Sequence, residues 1–138
     1  MRLKKLFKLI VLITVVFVSI SCSQKPTTNK YLNVDYSDFI GQFIEETDEQ
    51  LSMPQDDYYI YYYGTYCSAC IEIKSQLLDT LYRAKNTTIY FVLVNSYKDI
   101  HDDSGVTGTP TIIHVINNEV TESYSGGTSI LEMIDQIT

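Results

Sequence analysis

The chain has 138 residues, 45% of them hydrophobic and 20% charged, and a formal net charge of −7. That length supports one domain around a single core and leaves no room for a second. Ten basic against seventeen acidic side chains leave too little positive charge to follow a nucleic-acid backbone.

The N-terminus carries Arg2, Lys4, Lys5 and Lys8, followed by an apolar run from Leu9 to Val18. A charged head before a short apolar stretch is the pattern of a secretory signal. The run is also shorter than the ~20 residues a spanning helix needs, which places an uncleaved anchor second. Val18-Ser19-Ile20-Ser21-Cys22 resembles the lipobox of bacterial lipoproteins, with Ser19 where leucine is usual. The resemblance implies a signal peptide over 1–21, lipidation of Cys22 as the first mature residue, and attachment to the extracytoplasmic face of a cell membrane. Two acyl chains suffice for stable anchoring. Residues 22–32 then read as a polar tether, and 33–138 as the folded domain. Removing the leader takes away four of the ten basic residues and none of the acidic ones, so the mature net charge is about −11. Such acidity keeps a tethered domain soluble and names no substrate.

Beyond the tether, Ser37 is placed to cap a first helix in which Phe39, Ile40, Phe43 and Ile44 recur at helical spacing. A short strand around Leu32 to Val34 is a further expectation. The acidic stretch Thr47 to Asp57, containing Pro54, reads as a loop, and the aromatic run Tyr58 to Tyr63 as a strand. Ile73, Leu77, Leu78 and Leu81 form the apolar stripe of a second helix, with Asn86 marking its exit. Ile89 to Val94 is continuously apolar, as in a parallel strand covered on both faces. Thr111 to Ile116 and Val120 to Tyr124 then flank Asn117-Asn118, a hairpin-turn pair. Gly126-Gly127 ends the hairpin. Ser129 and Glu132 have capping-box spacing ahead of a last helix with Ile130, Leu131, Ile134 and Ile137.

Between the aromatic strand and the following helix lies Cys67-Ser68-Ala69-Cys70. A helix starting near Cys67 would turn its unpaired N–H groups and positive dipole end toward that sulfur, favouring the thiolate. Cys70 lies about one turn further on, within reach of a disulfide. Environments of this kind lower a cysteine pKa from about 8.5 to roughly 3.5–7.5, and the thiolate is the form that attacks disulfides.

Strand, Tyr66-Cys67-Ser68-Ala69-Cys70, helix, strand, and then Gly105-Val106-Thr107-Gly108-Thr109-Pro110-Thr111 leading into a hairpin together resemble the thioredoxin-like family over residues 33–138. The resemblance implies an α/β three-layer sandwich, a mixed central sheet flanked by helices. It also implies a thiol-disulfide oxidoreductase that exchanges disulfides with protein or peptide substrates, needs no cofactor, and is reset by a separate redox partner. Cys67 would be the nucleophile and Cys70 the resolving thiol. Pro110 would follow a cis bond beside them, with Thr109 pairing to a bound substrate strand and Tyr66 shaping the rim.

Departures from thioredoxin itself bear on direction. Ser68-Ala69 stands between the cysteines, Ile71 follows them, and Tyr61 occupies the place of a buried aspartate. The proton acceptor for Cys70 is left among Tyr61, Glu72 and water. A hydrogen bond from Ser68 would make the pair more oxidising, whereas Thr109 before the proline is similar to envelope reductases and isomerases, so direction stays open. Two other classes compete. CxxC is half of many zinc sites and a candidate copper(I) site, but only His101 and His114 could add ligands. A structural disulfide on a non-catalytic binding lipoprotein is the second. A thiol peroxidase is weaker, since Thr65 lies only two residues before Cys67.

Overall fold

The computed structural model describes residues 31–137. The expected signal peptide, Cys22 and the tether up to residue 30 lie outside the described residues. Among the described residues no helix is long and apolar enough to cross a membrane.

Four strands make one mixed sheet: β1 (Asp57–Tyr63), β2 (Ile89–Leu93), β3 (Thr111–Ile116) and β4 (Glu119–Ser125). Their order is β2-β1-β3-β4, with β1 and β2 parallel and the other neighbours antiparallel. Parallel pairing needs a crossover, and α1 (Ser68–Arg83) supplies it. The five tyrosines of β1 show no polar alternation because the strand is covered on both faces. Tyr61 and Tyr63 join Phe91 and Ile112 against Ile73, Leu77, Leu78 and Leu81 of α1. Tyr58, Ile60 and Tyr62 join Tyr90, Val92, Ile113 and Val115 on the opposite face. Each fully buried aliphatic side chain in these clusters contributes about 1.5–3 kcal/mol.

α2 (Gly127–Ile134) packs on the α1 side through Ile130, Met133 and Ile134. The other face is flanked by segments carrying 3-10 turns at Thr47–Glu49, Tyr97–Asp99 and Asp102–Ser104. Buried Gln50 ties that layer together: its Nε2 donates to Asp99 O at 2.7 Å, while its Oε1 accepts from the Tyr62 hydroxyl and the His101 N–H, each at 2.9 Å. Asn117 and Asn118 both adopt positive φ, 51° and 66°, as a two-residue hairpin turn requires.

Three local expectations are corrected. The first helix does not form: a single 3-10 turn at Tyr36–Asp38 is capped by Asp35, not Ser37. Gly41, at φ 77°, then breaks the path, and Phe43 makes a parallel bridge to Phe91 at the β2 edge. Phe39 and Ile44 are buried while Ile40 is 91% exposed, so these apolar residues do not share the helical face their spacing suggested. Leu32 to Val34 forms no strand; the Leu32 N–H donates to buried Asp79 Oδ1 at 3.3 Å. Ser129 and Glu132 make no capping box, because α2 starts three residues earlier than that cap requires, behind Gly126 at φ 86°.

Candidate functional site

The carboxyl end of β1 delivers the chain to the cysteines. Gly64, Thr65 and Tyr66 turn it, and the Cys67 N–H donates to Gly64 O at 3.3 Å. Cys67 is the N-cap of α1, its backbone extended and its sulfur accepting the Cys70 N–H at 3.1 Å. A capping sulfur satisfies one of the four N–H groups that a helix start leaves free. No acidic residue lies in the first turn of α1, so nothing there offsets the positive end of the helix dipole. Ser68 is exposed; the hydrogen bond to sulfur comes from the backbone.

Cys67 and Cys70 are joined in a disulfide, with Cα atoms 5.2 Å apart. The two sulfurs differ in access. Cys67 is half-buried, whereas Cys70 is only 2% exposed and belongs to the helix-side core. Tyr66, just before them, is fully exposed.

The Thr109–Pro110 bond is cis. Its loop is fastened at both ends: Thr111 Oγ1 donates to Gly108 O at 2.8 Å, and the Gly126 N–H donates to Pro110 O at 2.9 Å. Gly64 shows where this loop lies. A carbon at its β position would stand 3.5 Å from Cys67 Cβ, from Thr109 Oγ1 and from Val94 O alike. Cys67 and Thr109 therefore flank a single atom-sized space, although 42 residues separate them in sequence. Pro110 itself is buried and Thr109 partly open.

Behind Cys70 is a mostly apolar cavity of about 220 Å³, with Tyr36, Tyr63, Ile71, Lys74 and Leu93 in its lining. Tyr36 stacks on Tyr63 with ring centroids 4.2 Å apart. Lys74 Nζ pairs with Asp35 Oδ1 at 2.8 Å and sits 4.8 Å from the Tyr36 ring centroid. The hydrogen bond from Lys74, and then the Tyr36 N–H, hold the Asp35 carboxyl below its usual range. Tyr61 lies on the helix-side face of β1, fully buried. Its hydroxyl makes no well-formed hydrogen bond among the described residues. The Tyr36 hydroxyl is near enough to influence its ionisation, and burial above all drives the Tyr61 phenol far upward. Such a phenol stays protonated at neutral pH and is a poor acceptor for the Cys70 proton. Glu72 is exposed, two residues round the helix from Cys70.

The family model described as Thioredoxin matches residues 41–138. The chain belongs to the thioredoxin family. None of the curated protein sequences is similar enough to match. Solved structures share the fold at low identity. Thioredoxin of Malassezia sympodialis (Mala s 13) is 22% identical, with 69% of this chain and 88% of that one covered and a TM-score of 0.53. Mitochondrial thioredoxin 3 from Saccharomyces cerevisiae, in its oxidised form, is 19% identical over 69% and 93%, with a TM-score of 0.56. A protein described as a putative oxidoreductase with a thioredoxin fold is 16% identical over 75% and 98%, at 0.59. A thioredoxin domain carrying a bonded CxxC pair at a helix start is a thiol-disulfide oxidoreductase.

The two histidines considered as metal ligands are engaged elsewhere. His101 Nδ1 accepts the Asp103 N–H at 3.1 Å, and His114 Nε2 lies 2.7 Å from Asp57 Oδ1 with its ring stacked on Tyr59. Among the described residues no three His, Cys, Asp or Glu side chains are placed to hold a metal. The residues that sequence reasoning missed are Gly64, which the cis-proline loop approaches, and the Asp35–Tyr36–Lys74 group at the Cys70 cavity. A lysine four residues after the second cysteine was the available signal for Lys74; its partners come from a turn more than thirty residues earlier.

Proposed function

We propose that this thioredoxin-family protein works outside the cytoplasm, held to a membrane by lipid on Cys22, and exchanges disulfides with protein or peptide substrates. The leader supports the location, since a basic head, a short apolar run and a lipobox-like Val18–Cys22 precede the domain. The exchange rests on one observation: an accessible sulfur at a helix N-terminus is paired with a buried one, beside a cis Thr109–Pro110 bond.

In the reducing direction the Cys67 thiolate attacks a substrate disulfide, forms a mixed disulfide and releases one substrate thiolate. Cys70, after losing its proton, attacks the Cys67 sulfur. The intramolecular disulfide forms and the second substrate thiol leaves. The reverse sequence donates a disulfide, and a separate redox partner resets the pair. Thr109 offers its backbone to an extended substrate segment, Pro110 shapes that edge, and fully exposed Tyr66 forms the rim. Neither a bound cofactor nor nucleic acid enters this scheme.

The domain should catalyse insulin reduction by dithiothreitol or oxidation of a reduced model protein. Cys67→Ala should abolish this, and Cys70→Ala should accumulate mixed disulfides. Full turnover by Cys67→Ala would sink the exchange reading. For the anchor, Cys22→Ala should move the protein from the membrane to the soluble fraction of cells; retention in the membrane would refute lipid attachment.

A further inference from the structure

We infer that Lys74 is a positioning residue for the resolving step: its ammonium, clamped at the Cys70 cavity by Asp35 and Tyr36, eases loss of the Cys70 proton. The inference rests on the exchange reading above and adds to it the charge that serves the buried thiol.

Cys70 faces an unusual problem. Burial disfavours its thiolate, and Tyr61, in the same helix-side core, has a phenol that burial pushes far upward and that takes no proton at neutral pH. The groups around its cavity come from several elements. β1 contributes Tyr63 and the N-terminal turn contributes Tyr36, both phenols that burial pushes further up. β2 contributes apolar Leu93, and α2 packs nearby with apolar Ile130, Met133 and Ile134. Lys74 is the only cation among the residues lining the cavity, and among the described residues Asp35 is the carboxylate paired with it.

The lysine is held from two sides, although its carboxylate partner is exposed. Asp35 is fixed first as a cap: its side chain accepts the Tyr36 N–H at 2.7 Å, while its own N–H donates to Asp38 Oδ2 at 2.7 Å. The carboxylate so oriented meets Lys74 Nζ, and the Tyr36 ring, stacked on Tyr63, supports the ammonium from one side. Cys70 and Lys74 are four residues apart on α1 and face the same cavity. An ammonium lining the same cavity favours the thiolate over the thiol, an effect that the Asp35 carboxylate bonded to it reduces without abolishing. In the step itself the Cys70 proton passes to solvent water, the Cys70 thiolate bonds to the Cys67 sulfur, and the substrate sulfur leaves with the electron pair. Lys74 neither gives nor takes a proton; it lowers the cost of the charge on Cys70.

Rapid mixing of the reduced protein with equimolar dithiodipyridine separates the two events. Attack by Cys67 releases one pyridinethione and resolution by Cys70 releases the second. With Lys74→Met the second phase should shift its pH midpoint upward by about one unit, the low end of what a neighbouring opposite charge does to a pKa, because Asp35 offsets part of the ammonium. A less acidic thiol is a better nucleophile once ionised, with a Brønsted slope of about 0.4–0.5. The variant should therefore be about threefold slower near neutral pH and about threefold faster at high pH, so that the two profiles cross. Lys74→Arg should restore the original midpoint in large part. The first phase, read alone in a Cys70→Ala background, should be unchanged by Lys74→Met.

A crossing confined to the second phase supports the inference. A Lys74→Met profile that superposes on the parent's, or one displaced equally in both phases, overturns it while leaving the exchange reading intact. A parent protein that releases no second equivalent overturns the exchange reading, and this inference with it.

Discussion

Tyr61→Phe should stabilise the protein, and Tyr62→Phe, one residue further along β1, should destabilise it. Both side chains are fully buried, on opposite faces of the sheet. The Tyr61 hydroxyl makes no well-formed hydrogen bond among the described residues, the Tyr36 hydroxyl interacting with it only in poor geometry, and a buried polar group so poorly satisfied costs about 1–3 kcal/mol. Removing one oxygen forfeits a few dispersion contacts of about 0.1–0.2 kcal/mol each. The net expectation is a gain of about 1 kcal/mol, or a rise in Tm of roughly 4–8 °C for a domain near this size. Tyr62 differs because its hydroxyl donates to Gln50 Oε1 at 2.9 Å. That oxygen would keep the His101 N–H, so the loss should be limited to about 0.5–1.5 kcal/mol. Urea unfolding followed by far-ultraviolet circular dichroism suits a chain with no tryptophan, and the midpoint reports the change at constant slope. A Tyr61→Phe protein no more stable than its parent would refute the reasoning. The same variant should resolve mixed disulfides at the parental rate, since a phenol that stays protonated accepts nothing from Cys70.

Gly127→Ala places a Cβ only 2.8 Å from Ile73 Cγ2, and overpacking of this kind costs about 1–3 kcal/mol. An Ile73→Ala background should remove the penalty, and additivity of the two substitutions by double-mutant cycle would count against an α1–α2 contact at this point. Gln50→Ala should cost about 2–4 kcal/mol, because it strips partners from the Tyr62 hydroxyl, the His101 N–H and the Asp99 carbonyl together; a loss under 1 kcal/mol in urea unfolding would be inconsistent with that network. Asp35 has a folded-state pKa below its usual value, so the stability it confers is present above the unfolded carboxyl range and fades as pH falls through the folded value. Asp35→Asn should flatten the acid limb of stability against pH, and an unchanged limb would argue against the Lys74 pair.

Much of the architecture was legible because it follows from short-range chemistry. The aromatic and β-branched runs Tyr58–Tyr63 and Ile89–Val94 read as strands for the same reason that they pair, and Asn117-Asn118 announces the positive φ that its turn uses. Helical spacing through Ile73, Leu77 and Leu81 failed nowhere along α1. The same rule failed at Phe39–Ile44, where Gly41 admits a left-handed backbone and edge pairing to Phe91 replaces a helix. Ser129 failed as a cap because Gly126 starts α2 earlier.

Sequence alone determined which chemistry is available: two thiols three residues apart after a strand, an acidic domain, and a proline forty residues onward. Tertiary structure decided what each group meets. It buried Cys70 and left Cys67 partly accessible, laid Thr109 across Gly64 from Cys67, left the Tyr61 hydroxyl without a well-formed hydrogen bond, and brought Asp35 to Lys74. Local patterns carry backbone preference and amphipathic faces, both set by neighbours in the chain. Access, pairing and charge at a buried sulfur depend on residues that only the closing of the sheet and its crossover brings within a few ångströms.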